Sequence, residues 1–341
     1  MFKLGIIGWR GLVGSVFINR IFTSNIIKYL EIYLFSTNKI LNFNLNNAFN
    51  LNNLINMKFI VCCQGSNFTK KVLKLLLLKK WSGYWIDASS YLRMNKFCTL
   101  IFDPINKINI LKNIKNQKIY SGSNCTVSLC LLTFSNLLKL NLIDWIIATS
   151  YQAISGAGSK LINELVNNIN KSHNLSKNLL TLEKQTKQSF KKENPILFNL
   201  IPWIDKKVKF SQTKEEWKSS SEASKILNRK ILIDSNCVRV SSLRCHSQLF
   251  TFKVNKNISI NDLYYIINNK FIKIIKNNEI DSTKKLNPFN VSGNLSLFVG
   301  RIKKSLIDNR IFSLFSIGDQ LLWGAAEPLK RFLEILIEEL L

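Results

Sequence analysis

Four glycines set the first constraint on this chain. Gly5, Gly8, Gly11 and Gly14 recur every three residues, after the apolar start Phe2-Lys3-Leu4 and ahead of a helical pattern from Val16 to Phe22. A buried strand that passes through small residues into a helix opens a dinucleotide-binding βαβ unit, in which N–H groups at the helix start meet a pyrophosphate. The spacing is not GxGxxG, and glycine turns after strands are common. The turn by itself leaves an ordinary strand–helix connection equally open.

Strands and helices then alternate. Strands are expected at Glu31–Phe35, Lys58–Cys63 and Tyr84–Asp87, with a helix over Thr69–Lys80. That alternation implies a mainly parallel sheet. After Tyr120 the texture changes: Ser121-Gly122-Ser123-Asn124 is turn-like, and Cys125–Leu138 reads as a long apolar helix. A membrane span needs about 20 such residues, so this helix is expected to be buried in protein. Further strands are expected at Asp144–Ser150, Cys237–Leu243 and Gln248–Val254, and an amphipathic helix, Pro328–Leu341, ends the chain. Asn38–Met57 reads as a surface segment and Lys171–Asn194 as a polar, mobile insertion. At 341 residues the chain exceeds what one core usually holds, so two domains are expected.

The net charge of +27 raises the question of a polyanionic partner. The lysines are scattered among Ile, Asn and Phe, all of which share AT-rich codons, rather than gathered on one arm. Compositional drift explains this better than nucleic acid or membrane binding, and a positive field also suits anionic substrates. Seven cysteines, no CxxC pair and only two histidines, His173 and His246, argue against a zinc site. With no secretory leader apparent, free thiols in a reducing, cytoplasmic setting fit best.

A few residues could carry chemistry. Cys125 opens a helix, where the positive end of the dipole lowers a thiol pKa. His246, at an expected strand end, is the better of the two histidines as its partner, since His173 lies in the polar insertion. Buried cysteines and strand-end histidines are nonetheless usually structural. Arg239 interrupts an apolar strand, Val238-Arg239-Val240, and its fork matches a carboxylate. Glu215 and Lys218 share a helical face, where a surface ion pair is the plainer reading. The second strand ends in Ser36-Thr37-Asn38 with Arg10 nearby, not in the acidic residue usual for NAD, which favours a 2′-phosphate and hence NADP.

Taken together these segments resemble the bacterial aspartate-semialdehyde dehydrogenase family. The resemblance rests on Gly5–Val16, Gly83–Ser90, Leu92-Arg93-Met94, Asn124–Ser128, Tyr151-Gln152-Ala153, Leu200–Asp205, Glu215–Lys218, Cys237–Val240, Leu243–Gln248 and Gly318–Leu329. It implies an α/β fold, a Rossmann-type dinucleotide-binding domain plus an α+β catalytic and dimerisation domain. The first would comprise 1–123 with 324–341, the second 124–323. It implies Cys125 as nucleophile, His246 as acid–base residue and Gln152 as the residue orienting the substrate. Arg239 would hold the substrate carboxylate and Glu215 its amino group, while Arg93, Asn124 and Lys218 would bind phosphate. Gly8, Arg10, Gly11, Leu12, Val13, Thr37, Asn38, Gln64, Ser155, Gly156 and Gln320 would line the NADP site. No metal is implied.

The implied reaction joins aspartate 4-semialdehyde, phosphate and NADP through a cysteine thioester, in a homodimer, on the way to lysine, threonine, methionine and isoleucine. Ser123 departs from the family, which usually has glycine beside Asn-Cys. Two alternatives remain: a relative such as N-acetyl-glutamyl-phosphate reductase, against which Glu215 argues, and a drifted, non-catalytic polyanion-binding chain.

Overall fold

The computed structural model describes residues 1–37, 46–172, 178–189 and 195–341. His173 and Asn38 lie outside them. The first half alternates strands and helices. Its elements are β1 (Phe2–Ile7), α1 (Leu12–Phe22), β2 (Leu30–Ser36), β3 (Asn46–Asn47) and α2 (Leu51–Leu54). There follow β4 (Phe59–Cys62), α3 (Ser66–Leu78), β5 (Tyr84–Asp87), β6 (Thr99–Ile101), α4 (Asp103–Ile114) and β7 (Ile119–Gly122). The seven strands form one sheet in the order β3-β2-β1-β4-β5-β7-β6, and every pairing is parallel. Parallel strands need crossovers that cover both faces, which explains the continuous apolar runs FIVC and YWID.

The second half holds α5 (Cys125–Thr133), α6 (Ser135–Lys139), β8 (Ile143–Gln152), α7 (Ser159–Ser172), α8 (Leu179–Ser189) and α9 (Lys214–Leu227). Next come β9 (Leu232–Arg239), β10 (His246–Val254), α10 (Ile260–Ile267), β11 (Ile272–Ile274), α11 (Glu279–Lys285) and α12 (Pro288–Val291). The chain closes with β12 (Leu297–Lys304), β13 (Ile311–Gly318) and α13 (Glu327–Leu340). Here the sheet is mixed, in the order β11-β12-β13-β10-β8-β9. One face packs on α5, α6, α9 and α10 through Leu131, Phe134, Ala223, Phe250, Phe252 and Leu263. The other face leaves Ile147 and Leu249 exposed.

The final helix returns to the first sheet. Leu329, Phe332, Leu333 and Leu336 of α13 join Leu4, Ile6, Phe17 and Tyr120 in one buried cluster. The fold class expected from the sequence is the one observed, with four corrections. The apolar run from Cys125 breaks at Phe134 into α5 and α6. The strand expected at Cys237–Leu243 lies earlier, at Leu232–Arg239, because the chain must turn through Ser241–Arg244 to enter β10. Within Asn38–Met57, β3 pairs with β2, and Leu54 and Met57 are buried. Within Lys171–Asn194, 179–189 is helical rather than unpatterned.

Candidate active site

The glycine turn follows β1, whose neighbours β2 and β4 lie on opposite sides. The order in which strands are added reverses there, and such a switch point opens a crevice beyond the strand ends. Gly8 has φ +78°, and a Cβ on it would stand 2.7 Å from the Cys63 carbonyl carbon. A Cβ on Gly14 would stand 2.3 Å from Gly8 O. Only glycine fits either position. Helix α1 has no side-chain cap and no acid in its first turn, so its N–H groups are open to an anion. Arg10 Nη2 donates to Ser36 Oγ at 2.8 Å, and Gln64 Nε2 to Thr37 Oγ1 at 3.4 Å. These residues fit a pyrophosphate with a 2′-phosphate near Arg10 and Thr37.

The second sheet gathers the remaining groups along one end. His246 begins β10 opposite Gly318 of β13, and Gln152 ends β8 opposite Arg239 of β9. Helix α5 aims at this end. Asn124 caps it, its Oδ1 accepting from Thr126 N at 2.9 Å, and Cys125 is the first helical residue. Cys125 Sγ lies 3.2 Å from His246 Nε2, across 121 residues of sequence. Behind the cysteine stands Gly324, in the π-helical turn Leu322–Ala326, where a Cβ would be 2.5 Å from Cys125 Cβ. The same turn packs on α1, so the cofactor helix and the cysteine share one support.

His246 is fully buried, and Ala153 N–H donates to its Nδ1 at 3.1 Å. That bond assigns the proton of the neutral ring to Nε2, the atom facing sulfur. Burial, aided by the Arg239 charge, pushes the ring pKa down to about 3; Glu215 and the Cys245 carbonyl oppose this more weakly. The ring is therefore a neutral donor at working pH. For Cys125 the helix-start argument predicts a depressed pKa, and the structure reverses it. Burial and then Glu215 push the thiol up to about 12, against the pull of Arg93, Arg239 and Lys218. Desolvation of the anion outweighs the three nearby cations, two of which are already paired with carboxylates, Arg93 with Glu222 and Lys218 with Glu215 and Asp205.

Those charges form a buried network. Lys218 Nζ contacts Glu215 Oε2 at 2.8 Å and Asp205 Oδ2 at 2.9 Å. Asn124 Nδ2 and Gln152 Nε2 both donate to Glu215 Oε1, at 2.9 and 3.3 Å. Burial alone would raise the Glu215 carboxyl, but Lys218 and Asn124 hold it below its ordinary range. The plainer expectation of a surface ion pair fails here, because Glu215 and Lys218 are each 6% exposed. Arg239 Nη1 donates to Ala153 O at 2.8 Å, the one hydrogen bond of its side chain among the described residues. Arg93 Nη1 faces Glu222 Oε1 at 3.4 Å, while its Nε is a buried donor with no acceptor among the described residues.

Sequence reasoning missed three contributors. Glu222 accepts the Asn124 N–H at 2.6 Å and so ties the cysteine's N-cap to Arg93. Its spacing from Glu215 and Lys218, seven and four residues, puts all three on one face of α9, and that periodicity was readable. Asp205 and Gly324 gave no comparable signal. Ser155 and Gly156 lie in the turn Ile154–Ala157 beside the ring: a Cβ on Gly156 would be 3.1 Å from His246 Cε1.

Comparison with known proteins decides the family. Residues 3–113 match the model for the semialdehyde dehydrogenase NAD binding domain, and 136–323 the semialdehyde dehydrogenase dimerisation domain. The aspartate semialdehyde dehydrogenase of Francisella tularensis is 40% identical, with 99% of this chain and 100% of that one covered and a TM-score of 0.94. The chain belongs to the aspartate-semialdehyde dehydrogenase family. It is an oxidoreductase with a nicotinamide-dinucleotide domain. More distant structures share the fold. Aspartate semialdehyde dehydrogenase II of Vibrio cholerae, complexed with ASA, is 21% identical, with coverage of 100% and 99% and a TM-score of 0.81. The Candida albicans enzyme with NADP is 15% identical over the whole of both chains, TM-score 0.72. None of the described helices is long and apolar enough to cross a membrane.

Proposed function

We propose that this enzyme interconverts L-aspartate 4-semialdehyde plus phosphate and 4-phospho-L-aspartate, with NADP, through a thioester on Cys125. The observation that carries the reading is the 3.2 Å approach of Cys125 Sγ to His246 Nε2 inside a ring of three cations and three carboxylates, Arg93, Lys218, Arg239, Asp205, Glu215 and Glu222. Arg239 takes the substrate carboxylate and Glu215 its ammonium group, with Gln152 orienting the carbon between them. An ammonium on Glu215 cancels the negative charge that raises the thiol most after burial, so substrate binding itself favours the thiolate. Phosphate takes Arg93, Lys218 and Asn124, and Arg93 Nε, which has no acceptor among the described residues, supplies a donor.

In the oxidative direction the thiol proton leaves to solvent and the thiolate attacks the aldehyde carbon. His246 Nε2–H donates to the alkoxide that forms. Bound NADP supplies the hydride acceptor. The carbonyl re-forms as a thioester, which divides one hard step into two easier ones. A phosphate oxygen, held by Arg93 and Lys218, then attacks the acyl carbon, and the thiolate departs. The reductive direction retraces these steps.

Gly8, Arg10, Gly11, Leu12, Val13, Thr37, Gln64, Ser155, Gly156 and Gln320 bound the proposed NADP site; Asn38 belongs to it by sequence alone. The division into 1–123 with 324–341 and 124–323 is part of the proposal, supported by the packing of α13 under the first sheet. So are a homodimer through the open face of the second sheet, where Phe315, Leu249 and Thr149 pair in one row, and a cytoplasmic location. The test is an assay with aspartate semialdehyde, phosphate and NADP⁺ before and after thiol alkylation. Phosphate-dependent NADPH formation that alkylation abolishes is expected. Activity confined to the N-acetylated glutamate semialdehyde would overturn the substrate assignment.

A further inference from the structure

Gln320 follows β13 and is 2% exposed. Both ends of its amide are engaged within the protein. Cys245 N–H donates to Oε1 at 2.7 Å, and Nε2 donates to Ser155 Oγ at 2.5 Å. The two partners lie on the two segments that hold His246. Cys245 immediately precedes it in the chain. Ser155 sits in the turn that follows Ala153, the residue whose N–H meets Nδ1.

Cys245 is also unusual in its backbone, with φ +72°. A residue with a Cβ keeps a left-handed conformation only where its surroundings hold it. The bond from its buried N–H to Gln320 is such a hold. Backbone bonds from Ile154 N to Ser242 O (2.9 Å) and from Ser155 N to Leu243 O (3.3 Å) join the same segments further from the ring. Gln320 closes the end next to His246. On its other side, its Cβ lies 3.3 Å from where a Cβ on Gly324 would stand, against Cys125. One side chain thus connects the support of the sulfur to the support of the imidazole.

We infer that Gln320 is a positioning residue for the reaction: through Cys245 N–H and the Ser155 hydroxyl it sets His246 Nε2 against Cys125 Sγ. The inference rests on the proposed thioester chemistry. It differs from a role as cofactor lining alone, because the amide is spent on the protein.

The test compares Gln320→Met, Gln320→Glu and Ser155→Ala with wild type, reading kcat, KM for NADP and the pH profile of kcat, with thermal unfolding in parallel. A misplacement on the order of 1 Å costs about 100-fold, so Gln320→Met should lower kcat by about that factor, well beyond any rise in KM for NADP. Gln320→Glu, whose carboxylate can accept from both Cys245 N–H and the Ser155 hydroxyl, should recover most of the loss. Ser155→Ala removes one bond and should show a smaller loss of the same kind, which keeps the test informative should Gln320→Met not fold. A raised KM for NADP with kcat intact, or equal activity of the Met and Glu variants, would overturn the inference. Wild-type enzyme inactive on aspartate semialdehyde would instead sink the underlying reading.

Discussion

Gly324→Ala is the sharpest perturbation of the site, because it touches no charged or polar group. The new methyl would lie 2.5 Å from Cys125 Cβ and 2.9 Å from its Cα. Carbon atoms rest about 3.5–4.0 Å apart, so the two backbones must separate by roughly 1 Å. Cys125 is the first residue of α5, whose interior face is packed solid by Leu129, Leu131 and Leu132. The helix start therefore yields, and the 3.2 Å contact from Sγ to Nε2 opens. A displacement of about 1 Å at reacting groups costs about 100-fold in kcat. That loss is about 2.7 kcal/mol of transition-state stabilisation. Overpacking should also cost about 1–3 kcal/mol of folding stability. The assay is steady-state kcat beside denaturant unfolding on the same preparation. A folded Gly324→Ala enzyme with wild-type kcat would refute the argument that this turn sets the sulfur's position.

Other outcomes follow from the same geometry. The ligand-free thiol sits at about 12 and reacts only as thiolate, so alkylation of Cys125 should accelerate about tenfold per pH unit through the neutral and mildly alkaline range; a plateau below pH ~8 would contradict the account. Arg239→Leu removes a charge-assisted fork and should raise the substrate KM by about 100-fold or more, with NADP binding retained. An unchanged KM would place the substrate carboxylate elsewhere. Glu222→Ala leaves the buried Asn124 N–H without its 2.6 Å acceptor and should cost about 1–3 kcal/mol of stability, read from the urea midpoint. An unshifted midpoint would mean that another acceptor takes over.

The fold was legible where pattern and chemistry agreed. Glycines at a strand end and alternating elements led to a parallel sheet with its crevice at the end of β1, and that sheet is present. His246 was legible as the better of two histidines to partner Cys125, and the resemblance strengthened that choice, but spacing over 121 residues says nothing of a 3.2 Å contact. The electrostatics of the site were misread. A helix start by itself depresses a thiol pKa, but the packing around this sulfur and the Glu215 charge push it the other way. The Glu215–Lys218 pair looked like surface because a three-residue spacing fixes a helical face, not what covers it. The contribution of Gly324 depends on tertiary approach alone.

The central claim is a covalent acyl group on one sulfur. Mixing enzyme with aspartate semialdehyde and NADP⁺ in the absence of phosphate tests it directly. A burst of NADPH equal to the active-site concentration is expected, with an aspartyl adduct on the Cys125 peptide that added phosphate releases. No burst, or an adduct mapped to any other residue, would contradict the account.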